Sequence, residues 1–400
     1  MTTNTSSLPV SPFLWTSSLI CILLGICAPR LLAYLPGIMA LGFVGYYFAT
    51  HKIFIRPQKQ DVIFAFIFLA LAFLSSFWSP DQAFSIERSL KITAIIIPGL
   101  FLIALSKNTI LQTPRGIWIA LGIFIFTGLL LLSEKTFGHP LLEAALGRDV
   151  VSHKLNRSFV VFSFFSLPVL FLLKNMTIEK NKKIILSLLT ILVAAVSLYF
   201  AESQTAQLCF LTALFFLYLF PVQLKKLSKA VAGFILILIL VFPFLVGPLK
   251  NTIPQEVLLT GVLREASIIH RLEVWQHTST QALQSPLYGR GIEALRFLKA
   301  EQYMEFQKAW SVLHAHNAAL QIWVEFGFIG ITLALFFLFV LFKRILAVTD
   351  DNQRRFYFAV MMVCLSCALT GYGLWQGWLL GLFFLIASVT IMAGKITAKN

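Results

Sequence analysis

The densest group of chemistry-bearing residues is His314-Ala315-His316-Asn317. A neutral imidazole near pH 7 can take a proton from a hydroxyl, so either histidine is a candidate general base. In a helix successive residues turn by about 100°, which would aim His314 and His316 about 200° apart. On that reading one helix face presents only one of them, and His316 would share a stripe with Leu320 and Gly327. Glu325 follows within the next apolar run, where a carboxylate is costly. Both a part in substrate contact and hydrogen bonding to a neighbouring loop account for it. A metal site needs three or four ligands, and no local spacing joins His270 and His277 to His314 and His316. No metal or other cofactor is expected.

Cationic groups come next. Arg271 and Trp275 are four residues apart, on one face of a helix. An arginine aimed at an anionic group beside a sugar-stacking indole is one reading, and an amphipathic helix with a solvent arginine is the other. Arg157 stands just before an apolar run, as a lipid-phosphate contact or an ordinary interface anchor. Glu202-Ser203-Gln204-Thr205 is a polar turn in an apolar neighbourhood, lining a cleft or merely closing a tight turn.

The elements that must position these groups are membrane helices. Apolar residues make up 58% of the 400 and charged residues only 12%, too few to cover water-facing domains. The mean hydropathy of +0.84 and the 39 Phe point to lipid as the solvent. Helices are predicted over 13–28, 31–49, 61–78, 89–105, 116–133, 158–173, 184–200, 206–220, 228–246, 320–342, 356–370 and 373–392. The fold class is therefore all-α, a polytopic bundle of about twelve transmembrane helices with a large loop between helices nine and ten. It divides into an N-terminal bundle over 1–246, a loop over 247–319 and C-terminal helices over 320–400. No basic residue precedes the first apolar run, and CAPR at 27–30 is a poor cleavage site, so that run reads as a retained helix. The cysteines lie in apolar segments and suggest neither a disulfide framework nor a zinc site.

More than half of the 32 Lys and Arg fall on one side, including Lys182, Lys183, Lys225, Lys226, Lys343 and Arg344. Basic loops stay cytoplasmic, so both termini are expected inside and the long loop outside. The net charge of +15 then reflects topology and contact with anionic membrane lipids, with no nucleic-acid partner expected. Helical stretches are predicted in the loop over 263–284 and 292–310, separated by Ser285-Pro286-Leu287-Tyr288-Gly289-Arg290-Gly291. The loop is short for an independent domain and should roof the bundle. Another outward connection, 134–157, carries Arg148, Asp149, His153 and Lys154. Outside the cytoplasm there is no ATP, so chemistry there needs a pre-activated donor. A lipid-linked pyrophosphate is one, with arginines to neutralise it and a histidine base to activate an acceptor hydroxyl.

RLEVW at 271–275, SPLYGRG at 285–291 and HAHNAALQIWVEFGFIG at 314–330 stand in this order. In this the chain resembles the bacterial O-antigen ligase and O-antigen polymerase superfamily, closest to the ligases. The ligase pattern is His-Asn, nine residues, then Gly-x-x-Gly, matched by His316, Asn317, Gly327 and Gly330. The resemblance implies a twelve-helix inner-membrane enzyme with a periplasmic loop between helices nine and ten. It implies metal-independent transfer of a glycan from an undecaprenyl pyrophosphate-linked donor to the lipid A–core acceptor. It makes His316 the general base and Arg271 a pyrophosphate contact. LNRS at 155–158 resembles an Asn-Arg segment of relatives and makes Arg157 a further contact, with Trp275, His314, Asn317, Gln204 and Glu325 lining the substrate site. The family usually carries an arginine where this chain has Gln204, and a small residue where it has Ile331. Repeat-unit polymerisation remains an alternative, as does non-catalytic transport of lipid or glycan, for which a midplane site would be expected.

Overall fold

In lipid every backbone group needs an internal partner, so apolar segments become helices. The computed structural model describes residues 11–109, 114–140, 143–144, 155–252, 254, 256, 268–301, 304 and 308–395. In chain order the helices are α1 (Ser11–Cys27), α2 (Leu35–His51), α3 (Lys59–Ser75), α4 (Gln82–Lys107), α5 (Pro114–Thr136), α6 (Asn156–Lys174) and α7 (Lys180–Tyr199). They continue with α8 (Gln204–Leu214), α9 (Lys225–Thr252), α10 (Ile268–Gln284), α11 (Ala318–Leu346), α12 (Asp351–Thr370) and α13 (Gly377–Gly394). A 3₁₀ turn, Pro29–Ala33, separates α1 from α2. Each of the twelve predicted apolar stretches is helical, and among the described residues 8 helices are long and apolar enough to cross a membrane. The protein is an all-α, multi-pass membrane helix bundle.

The phenylalanine-rich helix α6 is the axis of the bundle. It packs against α1, α5, α7, α8, α12 and α13, and its side chains from Ser158 to Leu173 are buried. Phe162 stacks on Phe124 of α5 at 4.5 Å and Phe171 on Phe356 of α12 at 3.9 Å. Such ring pairs add to the dispersion gained by close packing. By contrast α3, α7 and α9 leave large apolar side chains such as Phe66, Leu188 and Phe234 exposed, the surface a lipid solvent selects.

The two ends of the bundle differ. At one end, Asp61 pairs with Lys107 (3.3 Å) and Arg344 (2.7 Å), and Lys395 donates to the carbonyls of Ser106 and Thr109. At the other end lie the 29–33 turn, the start of α6, the α7–α8 turn, the long loop and the α12–α13 turn.

The long loop departs from its predicted form. Helix α10 agrees with the expectation for 263–284 from Ile268 onward, the earlier residues lying outside the described set. Over 292–310 no long helix forms among the described residues. Ala294–Phe297 is a single 3₁₀ turn, Leu298 is extended, and Met304 bridges Ala309. The apolar side chains there are used singly: Ile292 and Leu295 are buried in two different clusters, so no one helical face is required.

A second departure is in α11. Gly327 has φ 59° and ψ −150°, a conformation essentially restricted to glycine, and it breaks the helix inside its apolar run. The break leaves backbone groups without intrahelical partners, and the SPLYGRG loop supplies them. Arg290 N–H donates to Val324 O (2.7 Å) and Gly291 N–H to Glu325 O (2.9 Å). In return, Phe328 N–H donates to Pro286 O (2.7 Å) and Ile329 N–H to Leu287 O (3.2 Å). A Cβ on Gly289 would sit 2.4 Å from the Glu325 carbonyl carbon, so that glycine is needed for the approach. The two motifs that stand apart in the sequence are thus one joint, and Gly327 admits a loop rather than a neighbouring helix.

Candidate active site

His314 and His316 lie outside any helix. Asn317 is the N-cap of α11, its side chain accepting from Leu320 N–H at 3.0 Å. The predicted opposition of the two histidines is therefore replaced by contact: their ring centroids are 4.3 Å apart. The stripe of His316, Leu320 and Gly327 is absent for the same reason. His316 has φ 53°, and its Nδ1 lies 2.7 Å from the Gly371 carbonyl oxygen. A carbonyl only accepts, so Nδ1 carries the proton and Nε2 keeps its lone pair. Among the described residues nothing hydrogen-bonds Nε2. Burial pushes the imidazole's pKa down and Arg271 adds to the effect, against the Gly371 bond, which favours the protonated ring. His316 is thus a neutral, oriented base at neutral pH. Burial, then coupling to the His316 ring and the nearby charges of Arg296 and Arg157, pushes His314 down to about 3. It is a neutral group whose buried Nε2 has no partner among the described residues.

Arg271 on α10 is close enough to depress His316, and burial lowers its own pKa. It stays a cation at neutral pH. Arg157, at the start of α6, lies over the Trp378 ring at 5.6 Å. Both arginines are electrostatic neighbours of Tyr372, and Arg157 is also a neighbour of Arg30 on the 29–33 turn. Among the described residues, none of these three arginines has a carboxylate partner. Like charges gathered without a counter-charge repel, and an anion relieves the repulsion.

The α12–α13 turn, residues 371–376, joins these groups. Gly371 holds His316. A Cβ on Gly373 would meet His314 at 2.9 Å, so the turn presses directly on the histidine pair. Tyr372 meets Trp378 edge to face at 4.8 Å, and its hydroxyl neighbours the Ser203 side chain. Sequence reasoning singled out neither Arg30 nor Tyr372. Their only signals are an arginine in one helix break and a tyrosine between glycines in another.

Several predicted substrate contacts hold the site instead. Glu325 is 1% exposed and accepts from Gln321 Nε2 (3.0 Å) and Trp375 Nε1 (2.5 Å). Gln321 Oε1 in turn accepts from Leu374 N–H at 2.8 Å. Glu325 therefore braces the 371–376 turn, with its oxygens occupied by protein donors. Asn317 is occupied as a cap. Trp275 packs on Phe242 of α9 at 5.4 Å within an apolar cluster, away from a sugar-stacking role. Gln204 is the first residue of α8, next to Ser203. Arg148, Asp149, His153 and Lys154 lie outside the described residues.

Residues 189–335, which span α7 to the middle of α11 and include Arg271 and His316, match the family model described as O-antigen ligase. The chain is 25% identical over 168 residues to a proposed polysaccharide ligase of Rickettsia conorii, covering 40% of each chain. It is 27% identical over 144 residues to one from Rickettsia bellii, 35% of each. With one from Rickettsia typhi it shares 21% identity over 349 residues, 86% of this chain and 83% of that one. The first two matches thus span two fifths or less of those relatives' length. The helical membrane bundle and these matches place the chain beside membrane proteins described as polysaccharide ligases. Over residues 189–335 the chain is similar to the O-antigen ligase family.

Proposed function

We propose that the protein is a metal-independent glycosyltransferase of the O-antigen ligase type. It moves a glycan from an undecaprenyl pyrophosphate-linked donor to lipid A–core at the periplasmic face of the inner membrane. The observation that carries this reading is His316, with Nδ1 committed to Gly371, Nε2 open, and the unpaired Arg271 beside it. In the reaction His316 Nε2 takes the proton of the acceptor hydroxyl as its oxygen attacks the anomeric carbon. The bond from that carbon to the phosphate oxygen breaks, and the diphosphate leaves with the electron pair. Arg271 and Arg157 neutralise it.

The reading includes twelve membrane crossings, cytoplasmic termini and an outward loop, supported by the sidedness of Lys and Arg. Disrupting the gene and resolving the lipopolysaccharide by gel tests it. Loss of all polymer from lipid A–core is expected. Full-length polymer still attached to core would reject it, and single repeats on core with no long chains would instead identify a polymerase.

A further inference from the structure

Tyr372 is a neutral hydrogen-bonding side chain close to Arg157 and Arg271, which have no carboxylate partner among the described residues. It precedes Gly373, which presses on His314, and follows Gly371, whose carbonyl orients His316. Arg157 and Arg271 are both within its electrostatic reach. Its ring is fixed edge to face against Trp378 at 4.8 Å, the same indole that carries the Arg157 guanidinium. Its hydroxyl neighbours the Ser203 side chain.

The division of protons at Ser203 favours an outward role for the phenol. Ser203 Oγ accepts from Ala206 N–H at 3.3 Å, as the N-cap of α8. Ser203 still has its own proton to give to the phenol oxygen, an arrangement that would leave the phenol O–H to donate to a bound anion. Burial pushes the phenol's pKa up to about 12 despite the nearby Arg157, so it keeps its proton at neutral pH. A phenol that keeps its proton, near two cations without a carboxylate partner among the described residues, is a donor suited to an anion.

We propose that Tyr372 is a substrate-contacting residue whose hydroxyl donates a hydrogen bond to the diphosphate of a prenyl-linked donor, between Arg157 and Arg271. This rests on the glycan-transfer reading above and adds a contact to it. No proton is transferred from Tyr372: the acceptor proton goes to His316, the electron pair of the broken bond goes to the leaving diphosphate, and the phenol hydrogen bond stabilises the charge that collects there.

The test uses the full chain, purified in lipid nanodiscs, with farnesyl diphosphate as the probe and farnesol as its uncharged counterpart. Tyr372→Phe keeps the ring against Trp378 and removes only the hydroxyl. We expect it to weaken farnesyl diphosphate binding about tenfold, the usual scale for one hydrogen bond to a charged group. Farnesol binding and the melting temperature should be unchanged. Ser203→Ala, which removes the hydroxyl beside the phenol and keeps the phenol itself, should weaken the diphosphate about threefold. If Tyr372→Phe does not fold, the Ser203→Ala result decides. Equal diphosphate affinity in wild type and the folded variants overturns the role of Tyr372 and leaves the donor assignment standing. A wild-type protein that binds farnesol and farnesyl diphosphate equally overturns both.

Discussion

Two groups of arginines occupy the same end of the bundle in opposite electrostatic states. Arg88 and Arg296 both reach Glu293, at 3.1 and 2.5 Å, and Arg296 also lies over Phe84 at 4.4 Å. Arg157 and Arg271 reach no carboxylate among the described residues. The first group neutralises its charge within the protein and so holds the loop to α4. The second keeps its charge uncompensated and has an oriented base beside it. A cation paired internally is a brace, and a cation left unpaired next to a neutral histidine is a receptor for an anion. The distinction is not in the residue type but in where the carboxylates fall.

That contrast can be broken most sharply at the base. His316→Ala is expected to lower glycan transfer by 10²-fold or more while membrane abundance stays near wild type. An assay of transfer from lipid-linked glycan, with the protein quantified by immunoblot, checks it, and full activity would remove His316 from the chemistry. Next, Arg271→Gln should cost about 10²-fold in transfer with no loss of melting temperature, because no internal partner is orphaned. Arg296→Gln should do the reverse, lowering the melting temperature by stripping Glu293 of one of its two cations. If the two variants behave alike, the division into brace and receptor fails.

The pH profile sharpens the same point. His316 titrates below the ordinary 6.5, so the base is unprotonated at neutral pH and is lost only as pH falls through the lowered value. Transfer should therefore be flat down to about pH 6.5 and fall below it. In Arg271→Gln one depressing charge is gone, so the residual activity should fall at a higher pH. A profile of kcat/KM against pH in both proteins is the measurement. The smallest effects belong to the supports. Glu325→Ala leaves Trp375 and Gln321 without their acceptor and should cost about 1–3 kcal/mol of stability. Asn317→Ala should cost about 1 kcal/mol as a lost cap. Thermal unfolding in a mild detergent would measure both, and an Asn317→Ala loss confined to activity would restore that residue to substrate binding.

Some of this was legible in the sequence. Hydropathy located all twelve apolar helices, because whether a segment prefers lipid depends on its own residues. Arg271, Arg157 and His316 were singled out by residue type and by motif order, and the structure brings them to one end of the bundle. The histidine geometry was missed although its signal was present: Asn317 ahead of an apolar run is an N-cap signature, which puts His314 and His316 outside the helix. The helix expected over 292–310 failed because its apolar residues serve separate clusters, which no periodicity reveals. Glu325 carried a true signal, a carboxylate in an apolar segment, but its partners Gln321 and Trp375 show it to be a brace.

Composition, hydropathy and charge sidedness by themselves determined the solvent, the helices and the end of the molecule to inspect, since these are sums over local residues. Only the tertiary structure decided which arginines have a counter-charge among the described residues, which tautomer His316 holds, and that Tyr372 and Arg30 lie near Arg157. Those properties depend on groups from distant parts of the chain meeting within a few ångströms, and both hydrogen bonds and charge pairing are set at that distance.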